Sequence, residues 1–303
     1  MTEKSVEQSG LWNYVEKHRS PIETLLRARL PLAPAHVKTK FNEALEYALF
    51  PGGKRLRPVL TLLGAEVVGG VAETVLPLAV AVEYVHTSSL IFDDLPCMDN
   101  SNERRGKESL HEKFGEGLAV LVGLGFLNAA YDSVFVNHAD VPERAIRAHA
   151  ELVECIGAGG MVGGQAVDLA LAQGASAADL PVQNYESESI RNLKTSALMR
   201  LALRGGAILA GANENQLNAL SRFAELLGDA YQLSDDLIDQ EEDRAIFGAS
   251  QTTFAIEQGR ETAQAKLGAI IETAKAILID DFAPSPARDN LEQLTDYLAA
   301  RKT

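Results

Sequence analysis

The 303-residue chain is short of cysteine and of positive charge, and each shortage removes a class of protein. Two cysteines, Cys97 and Cys155, cannot build a disulfide framework, so the expected compartment is the reducing cytoplasm. Lysine and arginine number 28 against 42 acidic residues, a formal net charge of −14. A nucleic-acid partner needs a basic footprint, and this balance excludes one. No uninterrupted apolar run reaches the roughly 18 residues of a membrane-crossing helix. The opening MTEKSVEQSGLWNYVEK also lacks the apolar core of a signal peptide, so no transmembrane segment is expected. Runs of alternating β-branched residues bounded by hairpin turns are scarce, which argues against strand-helix alternation. Gly-x-Ser-x-Gly and His-Glu-x-x-His are missing, and with them two hydrolase chemistries. GAGGMVGGQAVDL is rich in glycine, but the third glycine of a dinucleotide loop after Gly157 and Gly159 is replaced by Val162, and no strand precedes it. Closely packed helices are the expected use of those small residues. With no Pro/Ser-rich linker, a single domain over 1–303 is expected.

What is present is aspartate in two clusters, DDLPCMD at 93–99 and DDLID at 235–239, each preceded by a long apolar stretch of helical spacing. Side chains at i, i+3, i+4 and i+7 share a helical face, and in YQLSDDLID these are Gln232, Asp235, Asp236 and Asp239. Leu233 and Leu237 take the opposite side, so one helix can face a core and aim three carboxylates into a cavity. In the first cluster His86, Ser89, Leu90 and Asp93 share a face, and Pro96 ends the helix so that Asp99 falls in the following loop. Carboxylates held away from water need compensation, and hard divalent cations with an anionic ligand supply it. A solvated acidic face is the alternative for either cluster alone. An EF-hand loop fits neither, because the alternating Asp-x-Asp-x-Asp-Gly pattern is absent.

Basic residues stand near both clusters. PGGKRLRP at 51–58 offers Lys54, Arg55 and Arg57 after a Gly-Gly break that lets the backbone turn before a helix. It is not a Walker loop, since the spaced first glycine and the hydroxyl residue after the lysine are missing. Arg104 and Arg105 follow Asp99 closely, and their planar guanidinium groups can grip phosphate oxygens in pairs. Lys194 and Thr195 add a further cation and a hydroxyl. Each alone reads as surface charge; beside two acidic clusters they point to two phosphate sites.

GGKRLRP, VHTSSLIFDDLPCMDN, RRGK, GGQAVDL, LKTSAL and YQLSDDLID stand in the order found in trans-isoprenyl diphosphate synthases, and from about residue 40 onward the chain resembles that polyprenyl synthetase family. The resemblance implies an all-α, isoprenoid-synthase-type helical bundle around a deep central cavity, usually a homodimer. It implies a prenyltransferase that condenses isopentenyl diphosphate with an allylic diphosphate, head to tail, using Mg2+, three ions with substrate bound. Matched residue by residue, Asp93, Asp99 and Asp235 would be direct magnesium ligands, with Asp94, Asp236 and Asp239 orienting ligands or binding through water. Lys54, Arg57, His86 and Arg105 would hold isopentenyl diphosphate; Arg104, Lys194, Thr195 and Gln232 would hold or activate the allylic diphosphate.

Three positions depart from the family pattern. Phe92 replaces the usual histidine before the first Asp pair, Leu124 replaces the aspartate of Gly-Asp-Ala-Leu-Leu, and Gln251 stands where a lysine precedes Thr-Thr after a shortened segment. They leave room for a non-catalytic or regulatory subunit. A class I terpene cyclase is disfavoured by DDLID, which a cyclase would replace by an Asn-Asp/Ser/Glu triad. Product length is read from the helix before Asp93. Farnesyl-producing relatives have an aromatic floor four or five residues before the aspartate; here Ser88 and Ser89 leave the tail room to pass toward Tyr84, Val85 and Phe126. Geranylgeranyl diphosphate is therefore the expected product, farnesyl diphosphate the alternative, with Tyr84 or Phe126 as the expected stop. Serines that only bond to backbone carbonyls would leave the floor elsewhere.

Overall fold

Apolar residues at spacings of three and four dominate the chain, and the described residues are accordingly almost all helical. The computed structural model describes residues 10–50, 52–136, 138, 140–172, 193–246 and 259–301. Helices α1 (Gly10–Ala28), α2 (Phe41–Leu49) and α3 (Leu56–Glu66) come first, and a 3-10 turn (Ala72–Val75) runs into α4 (Leu76–Asp93). A hairpin of β1 (Glu103–Arg104) and β2 (Lys107–Glu108) follows. Then come α5 (Leu110–Phe114), α6 (Glu116–Val136), α7 (Pro142–Ile156), α8 (Met161–Ala172), α9 (Leu193–Ala210), α10 (Glu214–Ile246), α11 (Arg260–Asp281) and α12 (Pro286–Ala300). Proline stands in the first turn of α4, α7 and α12, and at α12 the Ser285 side chain caps the helix by accepting from the Arg288 N–H at 3.2 Å.

Helix α4 is the axis of the fold, packed by α1, α3, α6 and α9. Leu78, Val80, Val82, Tyr84 and Val85 bury residues around its whole circumference, the pattern of a helix inside a core. One contiguous apolar cluster runs from Leu11 to Leu298. Where α3 crosses α9, Gly64 and Gly206 let the backbones touch. A β-carbon on Gly64 would lie 2.2 Å from the Leu203 carbonyl oxygen, and one on Gly206 would lie 2.1 Å from that of Thr61. By length and composition alone, Ala72–Asp93 and Glu116–Phe135 could each cross a bilayer. The first is mostly enclosed by protein; the second, in α6, leaves Leu121, Leu124 and Phe135 exposed.

Two glycines of GAGGMVGGQAVDL, Gly160 and Gly163, answer to local backbone and not to the expected packing of neighbouring helices. β-Carbons on Gly160 and Gly163 would meet the carbonyl oxygens of Cys155 and Ala158 at 2.1 and 1.9 Å. They make a tight corner between α7 and α8 possible, a constraint of local backbone and not of a neighbouring helix.

Candidate active site

Helix α4 ends at Asp93, three residues before Pro96, and the chain folds back so that the Asp99 N–H donates to the Asp93 carbonyl at 2.9 Å. This turn leaves Asp93 and Asp94 buried and Asp99 exposed at the mouth. Asp93 forms an ion pair with Lys194 at 2.6 Å, and Lys194 also donates to Gln165 Oε1 at 2.6 Å. Burial raises the Asp93 carboxyl above its ordinary value; Lys194 opposes the shift and Asp99 adds to it. Asp94 accepts from Arg104, with the Nε contact at 3.0 Å, and the partnership raises the guanidinium's proton affinity.

On α10, Leu233 and Leu237 are buried while Asp235 and Asp236 are partly exposed, as the helical spacing requires. Asp235 pairs with Arg301, just beyond α12. Gln232 Nε2 donates to the Thr195 hydroxyl at 3.5 Å. Consecutive residues of α9 therefore tie the two acidic segments together: Lys194 reaches α4 and Thr195 reaches α10.

A helix does follow the Gly-Gly pair, with Lys54 and Arg55 before it and Arg57 in its first turn, but the positive φ that turns the chain belongs to Arg55, at 55°, and not to either glycine. A cavity of about 180 Å³ is lined by Lys54, Arg55, Arg57, His86 and Arg105, with Leu227, Tyr231 and Leu298 on its other wall. Arg105 arrives from the hairpin turn, where Arg105 and Gly106 have φ of 56° and 73°. Two successive positive values are the signature of a type I′ turn. Lys54 donates to the Tyr297 hydroxyl at 2.7 Å. Arg57 Nη1 lies 3.4 Å from His86 Nε2; a guanidinium can only donate, so this nitrogen accepts and His86 is neutral. Burial, then Arg57 and Arg105, hold the His86 pKa well below 6.5. The buried Nε of Arg57 has no hydrogen-bond partner among the described residues, an orphan donor that an anion would satisfy.

An apolar cavity of about 350 Å³ begins at Asp93 and Lys194 and continues past Val85, Ser88, Ser89, Phe92, Leu127 and Leu169. Ser89 Oγ donates to the His86 carbonyl at 2.9 Å, whereas buried Ser88 Oγ has no partner among the described residues. The anticipated stops, Tyr84 and Phe126, do not line this cavity. Both are fully buried, with ring centroids 5.2 Å apart, and the Tyr84 hydroxyl donates to the Leu26 carbonyl.

Residues 38–277 match the polyprenyl synthetase family. The chain belongs to that family. It is 36% identical to geranylgeranyl pyrophosphate synthase 11, chloroplastic, of Arabidopsis thaliana, over 95% of this chain and 82% of that protein. It is 34% identical to the dimethylallyltranstransferase of Fischerella ambigua, over 96% of this chain and 84% of that one. Among solved structures, an apo FPP/GFPP synthase from Zymomonas mobilis superimposes with a TM-score of 0.83 at 33% identity, covering 96% of this chain and 99% of the other. The all-α fold is the isoprenyl synthase fold, and the protein is a prenyl-transferring enzyme acting on isoprenoid diphosphates.

Within this polyprenyl synthetase, Arg55 is not available to substrate. Its guanidinium spans Glu23, buried Glu83 and the Leu49 carbonyl, which fixes the segment carrying Lys54 and Arg57. Leu124 lies on the outer face of α6 and lines neither cavity, while Phe92 enters the apolar one. The side chain of Asp239 and all of Gln251 lie outside the described residues. Sequence reasoning passed over Arg301, Tyr297 and Gln165. Gln165 stood inside a motif of the resemblance, but nothing local marked Arg301 or Tyr297.

Proposed function

We propose that the protein condenses isopentenyl diphosphate with an allylic diphosphate and releases mainly geranylgeranyl diphosphate. The observation that carries this reading is the order of three regions. A cationic cavity stands on one side, two acidic segments bridged through Lys194 and Thr195 lie between, and an apolar cavity starts at Asp93. A diphosphate head held by Lys54, Arg57 and Arg105 would present its alkene to an allylic tail lodged beyond Asp93, fixing the reacting carbons and excluding water.

The donor set fits magnesium. Every candidate ligand is a carboxylate oxygen, hard and anionic, and each of Asp93, Asp94 and Asp235 now faces a cation in Lys194, Arg104 or Arg301. Magnesium bound by so few carboxylates would complete its coordination with diphosphate and water oxygens. Asp93, Asp99 and Asp235 would hold it, with Asp94, Asp236 and Asp239 in support. Bound there, magnesium supplies Lewis-acid neutralisation of the departing pyrophosphate. Lys194 and Arg104 add positive charge where the leaving group gathers negative charge. His86 takes one Arg57 donor, and the Nε of Arg57, without a partner among the described residues, remains to meet the other diphosphate.

Longer growth than farnesyl is supported by Ser88 and Ser89 on the wall of the apolar cavity, where an aromatic floor would otherwise stand. We also propose a homodimer, supported by the exposed leucines of α6. Purified protein incubated with isopentenyl diphosphate, Mg2+ and dimethylallyl, geranyl or farnesyl diphosphate should yield a twenty-carbon product, and chelation by EDTA should stop it. No elongation with any primer would refute the condensing role; a fifteen-carbon end product would refute the chain length.

A further inference from the structure

Phe92 occupies an unusual position on the wall of the apolar cavity. It follows Ser88 by one helical turn on α4 and directly precedes Asp93, so its ring stands where a tail leaves the diphosphate site. The far edge of the ring is seated in α6 at Gly123. A β-carbon there would lie 2.7 Å from Phe92 Cζ, 2.9 Å from Cε1 and 3.2 Å from Cε2. The missing side chain is the notch that receives the ring. Leu127, one turn further along α6, lines the same cavity, so Phe92 and Leu127 form its α6-side wall.

We infer that Phe92, positioned by Gly123, determines which allylic chain lengths the cavity accepts. Any side chain at 123 must displace the ring, and the space open to it is the cavity itself. Removing the ring widens the cavity beside Asp93. This rests on the reading that the apolar cavity takes the allylic tail, and it assigns specificity to a width near the head in addition to a floor further down. Gly123 is a positioning residue that acts through Phe92.

The test compares kcat/KM for farnesyl diphosphate with kcat/KM for dimethylallyl diphosphate within each variant, so that general losses cancel. Gly123→Ala replaces glycine by the better helix former, so helix α6 is not what it damages. It should lower the farnesyl-to-dimethylallyl ratio by about tenfold or more, the scale on which a filled apolar pocket rejects added bulk, mainly through KM for farnesyl diphosphate. Its products should be shorter. Phe92→Ala should raise the ratio and lengthen the products, and adding Gly123→Ala to it should change little, because no ring remains to be pushed. An active wild-type enzyme whose ratio is unmoved by Gly123→Ala, or a double variant that behaves like Gly123→Ala alone, overturns this inference and leaves the condensing role standing. A wild-type protein that elongates no primer overturns both.

Discussion

His86 is half-buried on the wall of the cationic cavity, where desolvation and the charges of Arg57, Arg105, Arg55 and Arg104 disfavour its proton. In the unfolded chain it titrates near its ordinary value of 6.5, whereas in the folded protein it stays neutral to lower pH. Above that value both states are neutral and the residue contributes no pH dependence. As pH falls below it, the unfolded chain takes up a proton that the folded chain refuses, so stability declines by up to about 1.4 kcal/mol per pH unit until the folded pKa is reached. Urea midpoints measured from pH 7 to 5.5 should fall more steeply for the wild type than for His86→Gln; parallel slopes would contradict an imidazole held neutral at this site. Asp93 and Asp235 are instead the proposed magnesium ligands. Replacing either by alanine should cut turnover by at least about a hundredfold, as losing a major electrostatic group does, with the circular dichroism of the helices preserved. Near-normal turnover in either variant would remove the metal assignment. The aspartates and the cations of 54–57 were legible because residue type and short spacing announce their chemistry. Arg301 was not: it meets Asp235 across 66 positions of sequence, and no local pattern encodes a partner that distant.

Among the elements, α4 serves both parts of the site, its C-terminus holding carboxylates and its preceding turns lining the apolar cavity. Its helical period was readable, as was the break at Pro96, since proline and apolar spacing act over a few residues. Its environment was not, because fully apolar faces do not say which neighbour covers them; hence Tyr84 and Phe126 were expected at the cavity and instead pack on each other in the core. Ser88 is different, buried on the cavity wall with an unpartnered hydroxyl. Ser88→Phe should fill that space and shorten the product toward farnesyl diphosphate, because a ring on the cavity wall takes volume the tail would need. Chromatography of the dephosphorylated products checks it, and unchanged twenty-carbon product would place the floor elsewhere. The hairpin shows the same divide between local and distant information. Its turn follows from Gly106 after Arg105, but the delivery of Arg105 to Lys54, Arg57 and His86 depends on how the hairpin docks.

For the whole molecule, the most informative surface is α6. Its sequence is apolar on nearly every side, with Asn128 and Asp132 the polar residues on its exposed stripe, and so apolar a helix calls for burial on nearly every side. Within one chain that burial is incomplete: Leu121 and Leu124 are 56% and 51% exposed, Phe135 is 44% exposed, and neighbouring α7 exposes Ile146 and Val153. A second copy of the chain presenting the same face would cover them, and a two-fold arrangement uses each residue once per protomer. The leucine at 124, a departure when read as part of a catalytic motif, then acts at this face. Leu124→Glu would place one charge on each side of the contact. At about 2 kcal/mol per site for a poorly compensated polar burial, the dimer would weaken by several hundredfold. Sedimentation velocity should therefore show the mass of two chains for the wild type and of one for Leu124→Glu at the same micromolar concentration, with helical content unchanged. A monomeric wild type would end the dimer proposal, and a dimeric Leu124→Glu would move the interface away from α6. Neither result would bear on the condensation itself, since the two cavities and both acidic segments are contained in a single chain.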